Sequence, residues 1–134
     1  MSQNAKASDE RREAGRRVMR EVLGAPYCER RDASTNDFNA PIRRLSEEFA
    51  YGSLWTRPGI DRKTRSLVTL GMLTALNRPH EMAIHLEGAV NNGCSAEEIR
   101  ETLTHSVAYC GFPAAIDALR AAEAFLRDRN LLRP

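Results

Sequence analysis

Aromatic residues are scarce in this 134-residue chain, 6% in all, with one tryptophan. Sheet cores draw on aromatic and β-branched side chains. No segment alternates apolar and polar residues as a half-buried strand does. A sheet is therefore not expected. Long apolar runs are also missing, and none approaches the ~18 residues that a membrane-crossing helix requires. The first twenty residues are polar and carry no apolar stretch of the secretory type. Cysteine is limited to Cys28, Cys94 and Cys110, an odd number with no CxxC spacing, which points to free thiols in a reducing compartment. A cytoplasmic protein is expected. Charge of one sign is lacking too: 20 basic residues face 18 acidic ones, for a net charge of +2. Neither nucleic acid nor a membrane surface is an expected partner. The arginine pairs, such as Arg11–Arg12 and Arg43–Arg44, read as solvated helix faces or ion pairs. No glycine-rich phosphate loop and no Ser–His–Asp order stands out.

What is present is helical. Ala, Leu, Glu and Arg abound, and these favour helices. Hydrophobic residues make up 42% of the chain, enough for one globular domain over residues 1–134, with residues 1–8 as a loose polar tail. Apolar spacing predicts a helix over Asp9–Leu23, stopped by Gly24. A polar connection over 24–36 follows. A second helix starts near Asn36 or Asp37, or later because of Pro41, and runs to about Tyr51. Gly52–Gly59 reads as a loop. Asp61 then caps a helix over Arg62 to about Leu76, and Pro79 opens another that Gly93 closes. Ser95 and Glu98 form a capping box for the next helix, which ends near Gly111. Pro113 starts the last. The expectation is an all-α protein of about six helices.

The helix that opens at Pro79 carries the chemistry. At roughly 100° per residue, Met82, Leu86, Ala89 and Val90 share one stripe that faces a core. Glu81, His85, Gly88 and Asn92 form a second stripe beside it. Glu81 and His85 are i,i+4 neighbours with Cβ atoms ~6 Å apart, and Gly88 leaves room one turn on. Imidazole titrates near neutrality. A carboxylate beside it favours the charged ring and burial opposes it, which suits general acid–base work. An ordinary partly buried His–Glu helix pair has the same spacing. A metal is not expected: His80 and His85 point roughly 140° apart, one residue too long for an HExxH helix, and further ligands are not evident.

A string of motifs extends this reading. Trp55-Thr-Arg-Pro-Gly-Ile-Asp-Arg-Lys-Thr-Arg-Ser66 resembles the segment before the core helix pair of the carboxymuconolactone decarboxylase family. The Glu81-x3-His85 helix, Gly93-x-Ser-x-Glu-Glu-Ile99 and Tyr109-Cys-Gly-Phe-Pro-Ala-Ala115 follow in the same order. Val22-Leu-Gly24 and Asp37-Phe-Asn-Ala-Pro41 fit upstream. The resemblance covers roughly residues 15–128. It implies an alkylhydroperoxidase D-like helical bundle, assembled as a homo-oligomer, commonly a hexamer. The peroxidases of that wider group use a CxxC pair before the matching histidine. Arg78 and Glu81 stand at those positions here, and Ser66 stands where their glutamate lies, so thiol chemistry is not expected.

The resemblance implies cofactor-free decarboxylation of 4-carboxymuconolactone to the 3-oxoadipate enol-lactone, a step of protocatechuate breakdown. On that basis His85 is the proton donor or oxyanion stabiliser and Glu81 its orienting partner or proton source. Arg57 or Arg65 is a candidate to bind a substrate carboxylate, and Trp55 and Tyr109 are candidates to wall the pocket. The segment Ala25-Pro-Tyr-Cys-Glu-Arg30 departs from the His-Val-Asp/Glu-Arg run of dedicated pathway enzymes. Two alternatives therefore stand beside this expectation: a paralogue acting on another small lactone or carbonyl acid, and a non-catalytic oligomeric binding subunit.

Overall fold

The computed structural model describes residues 1–133. Among them are seven α-helices, one π-helical segment and no strand. The helices are α1 (Gln3–Leu23), α2 (Ala25–Ala33), α3 (Ala40–Leu45), α4 (Arg62–Leu76), α5 (Pro79–Asn91), α6 (Ala96–Cys110) and α7 (Phe112–Asp128). The π-helical segment, Ser46–Leu54, continues α3. The chain divides into two compact units, Met1–Asp61 and Arg62–Pro134.

In the N-terminal unit α1 packs along the π-helical segment. Ser2 caps α1 by accepting a bond from the Ala5 amide at 3.2 Å. The helix thus begins at Gln3, and residues 3–8, expected as a tail, are helical. Val18, Met19, Val22 and Leu23 form the buried stripe of α1. Gly15 belongs to it for another reason. A Cβ at Gly15 would lie 1.7 Å from the Glu47 carbonyl oxygen, and one at Gly52 would lie 2.5 Å from that of Arg11. Two backbones meet there directly, and only glycine permits it.

Helix α2 occupies the stretch expected as a polar connection. It buries little beyond Cys28, so apolar spacing does not reveal it. Ion pairs tie it down instead: Arg16 to Asp32 at 2.8 Å and Arg20 to Glu29 at 3.2 Å. The expected second helix appears as α3 plus the π-helical segment, which also takes in Gly52–Leu54 of the expected loop. The stretch between the π-helical segment and α4 runs from Trp55 to Asp61 and contains Pro58 and Gly59.

The C-terminal unit follows the sequence reading closely. Its four helices enclose a core of Leu70, Met82, Leu86, Ala89, Ile99, Leu103, Ala118, Ala122 and Leu126. Helix α4 packs on α5, α6 and α7, and α7 also packs on α5 and α6. The joints are short because their residues are suited to them. Asn77 takes a left-handed backbone at φ 52, and Pro79 sits in the first turn of α5. Gly93 and Gly111 take φ 90 and 84. The capping box forms in full, with Ser95 and Glu98 each accepting the other's amide at 3.0 Å.

Candidate active site

Helix α5 presents its two stripes as the wheel places them. Met82, Leu86 and Ala89 are buried in the core. On the adjoining stripe Glu81 is exposed, His85 half-buried, Gly88 buried and Asn92 half-buried. His85 therefore sits at the edge between core and solvent, one turn from a carboxylate in water.

That position fixes its protonation. Burial pushes the His85 pKa below the usual histidine value, and the Glu81 charge pulls it partly back up. Desolvation penalises the imidazolium more than one exposed carboxylate stabilises it. The resting ring at neutral pH is therefore the uncharged imidazole. It offers one N–H donor and one nitrogen acceptor.

The stripe's far end is fastened. The Asn92 side-chain amide donates to the Ser66 hydroxyl of α4 at 2.8 Å. Two residues on, the Cys94 thiol donates to the Lys63 carbonyl at 3.5 Å. Lys63 in turn pairs with Glu98 of α6 at 2.8 Å.

The remaining candidates are distributed over both units. Trp55 and Arg57 belong to the N-terminal unit. Trp55 is buried and stacks on Tyr51, with ring centroids 5.9 Å apart, and Arg57 is exposed. In the C-terminal unit Arg65 is half-buried in α4. Tyr109 is 80% exposed near the end of α6, its ring 5.3 Å from that of His105. The described residues contain no His/Cys/Asp/Glu cluster suited to a metal ion.

Two features escape sequence reasoning. One is the Ser66–Asn92 bond. The other is Glu47, which is 2% exposed and receives bonds from Arg12 at 2.6 Å and from Arg16 and Arg31 at 2.8 Å each. Burial pushes the Glu47 pKa up, but the bonds from Arg12 and Arg31 and the charges of Arg12 and Arg16 outweigh it, for a net lowering. The single hint in the sequence is Gly15, a helix-interior glycine that marks a close approach.

The chain thus combines an all-helical fold with a half-buried imidazole one turn from a carboxylate on α5. The profile of the carboxymuconolactone decarboxylase family matches residues 41–124, more than half of the chain. The chain belongs to that family. It is 39% identical to the 4-carboxymuconolactone decarboxylase of Acinetobacter baylyi over 92% of each chain. It is 40% identical to the nitrosuccinic acid decarboxylase of Metarhizium robertsii, over 85% of this chain and 80% of that one. An uncharacterized 15.0 kDa protein of Paracoccus denitrificans is 34% identical over 62% of this chain.

Proposed function

We propose that this decarboxylase acts on a small dicarboxylate whose departing carboxylate sits on a carbon joined to an electron-withdrawing group, directly or through a C=C bond. The observation that carries the reading is the half-buried His85 with Glu81 one turn away, on a helix inside the family match. The two relatives named for their substrates support the class. In 4-carboxymuconolactone the electrons left by CO2 spread into the lactone carbonyl. In nitrosuccinic acid they spread into the nitro group. Both compounds retain a second carboxylate, and both supply their own electron sink. 4-Carboxymuconolactone is the first candidate, because that similarity spans 92% of both chains. Nitrosuccinate is the second.

The proposed steps balance simply. The substrate carboxylate leaves as CO2, and its bonding pair becomes a dienolate or nitronate. An N–H of His85 donates to the oxygen on which this charge grows. The arriving substrate brings negative charge to a ring that is neutral at rest, and this favours the imidazolium. The proton enters from solvent by way of Glu81. His85 then delivers it to carbon, so one proton replaces one CO2. Arg65, in the same unit as His85, would hold the retained carboxylate, since guanidinium matches it in two parallel bonds. Tyr109, of the same unit, would wall the site.

CO2 release from each of the two acids tests the reading. His85→Ala should lower kcat/KM by about 10²–10⁴-fold, the usual span for a positioned acid. Full turnover in that variant would remove His85 from the chemistry and favour a binding role.

Assembly as a homo-oligomer belongs to the same reading. Val68, Met72 and Leu76 recur every fourth residue along α4 and are 44%, 61% and 62% exposed. Ile42, Leu45 and Phe49 are likewise exposed, at 71%, 61% and 64%. Apolar stripes of this kind are the surfaces that subunits cover.

A further inference from the structure

Ser66 is a hydroxyl on α4 that is only 1% exposed. Its hydrogen bond from Asn92 crosses from α5 to α4. A buried hydroxyl needs a partner, and the half-buried Asn92 amide supplies one. The two meet at a mechanically significant place. Asn92 is the C-terminal cap of α5, and its own amide closes on the Gly88 carbonyl at 2.9 Å. It is therefore continuous with the helix, and seven residues, close to two turns, separate it from His85. The two side chains lie on the same stripe.

We propose that the Ser66–Asn92 bond is a positioning contact, setting the rotation of α5 against α4 and hence the place of the His85 ring. The inference rests on the reading of His85 given above. The buried apolar side chains of α5 fix which face meets the core, but dispersion contacts have no direction and set the last degrees of rotation less sharply. A hydrogen bond has one. At the side-chain radius of a helix, about 5–6 Å, a 20° turn moves a ring by about 2 Å. Displacements of ~1 Å are enough to cost about 10²-fold in rate. The Cys94–Lys63 contact lies past the cap, beyond the turn at Gly93, so it anchors the loop that leaves α5 and leaves rotation to Asn92.

The test pairs turnover with NMR titration of the His85 ring in the same variants. Ser66→Ala and Asn92→Ala should each lower kcat by about 10–100-fold with KM changed by less than about threefold. In each the His85 midpoint should move up, toward the ordinary histidine value, as the ring loses its buried position. The double variant should be no worse than either single, because both remove one interaction. Asn92→Asp retains a bond with its direction reversed, the serine hydroxyl donating to the carboxylate, and should recover most of the rate. If Ser66→Ala and Asn92→Ala lower the melting temperature but leave kcat and the His85 midpoint unchanged, the contact is structural and the proposal fails. The titration is independent of catalysis. A His85→Ala variant with full activity therefore overturns the functional reading, while the ring's response to Ser66→Ala separately decides whether the bond positions it.

Discussion

At residue 85, burial and a neighbouring carboxylate act in opposite directions, and burial wins. Glu81→Gln removes the opposing influence and should lower the His85 midpoint further, which NMR titration measures directly. Under the proposed mechanism it should also slow proton entry and reduce kcat. The charged ring is needed in the substrate complex, so kcat should fall as pH rises through the His85 pKa of that complex; a flat alkaline limb would argue against proton delivery by His85. This pair was legible in the sequence because i,i+4 spacing on one helix is local geometry. The four-way cluster at Glu47 was not, since its partners lie 16 to 35 residues away and nothing local ties them together. Glu47→Gln leaves three guanidiniums facing a neutral amide. Breaking a fully buried pair costs about 3–5 kcal/mol. Arg12 and Arg16 are 40% and 42% exposed, so water offsets part of this, and a loss of about 2–3 kcal/mol in chemical denaturation is expected.

Helices that bury an apolar stripe were readable; helices held by polar contacts were not. Helices α4 to α7 fall where caps, prolines and glycines place them, because each has a core face and a defined start and stop. Helix α2 has almost no core face, and its ion pairs with α1 become visible only in three dimensions. The π-helical segment defeats spacing rules for a different reason. Its wider turn, seen in the Trp55 amide bonding five residues back to the Ala50 carbonyl at 3.0 Å, breaks the 3.6-residue period. The α1 crossing that Gly15 permits gives a sharp test. Gly15→Ala ordinarily favours a helix by roughly 0.5–1 kcal/mol. Here the added methyl meets a backbone carbonyl that cannot move aside. The substitution should instead destabilise by about 1–3 kcal/mol or more, visible as a lower denaturation midpoint.

For the whole molecule, acid is the expected weakness. Glu47 has a lowered pKa in the folded state. Its contribution is therefore present above the unfolded carboxylate value and lost as pH falls through the folded one. His85 acts in the same direction. Its folded pKa also lies below the unfolded value, so stability drops as pH falls through the ordinary histidine range toward that lower pKa. Denaturation midpoints should decline in two stages, first near the histidine range and then in the carboxylate range. His85→Ala should remove the first stage. Sedimentation should show an assembly larger than the 15.0 kDa chain, and Met72→Glu on the exposed α4 stripe should weaken it. A stable wild-type monomer would contradict the oligomer. The family and the helical class were thus open to sequence reasoning, while substrate and assembly depend on surfaces that spacing does not describe.

The joints between helices bear on how a protease would meet this protein. They contain two basic residues, Arg57 and Arg78, and each is followed by a proline, Pro58 and Pro79. Trypsin needs an extended, accessible segment and does not cut before proline. The other arginines and lysines lie within helices or at the chain's end. A chain with 20 basic residues should therefore resist brief tryptic digestion between its first helix and its last. A protease selecting apolar residues has Phe38 and Ile60 open to it, 97% and 42% exposed in the two longest joints. Mass spectrometry of fragments from the two enzymes would show the contrast.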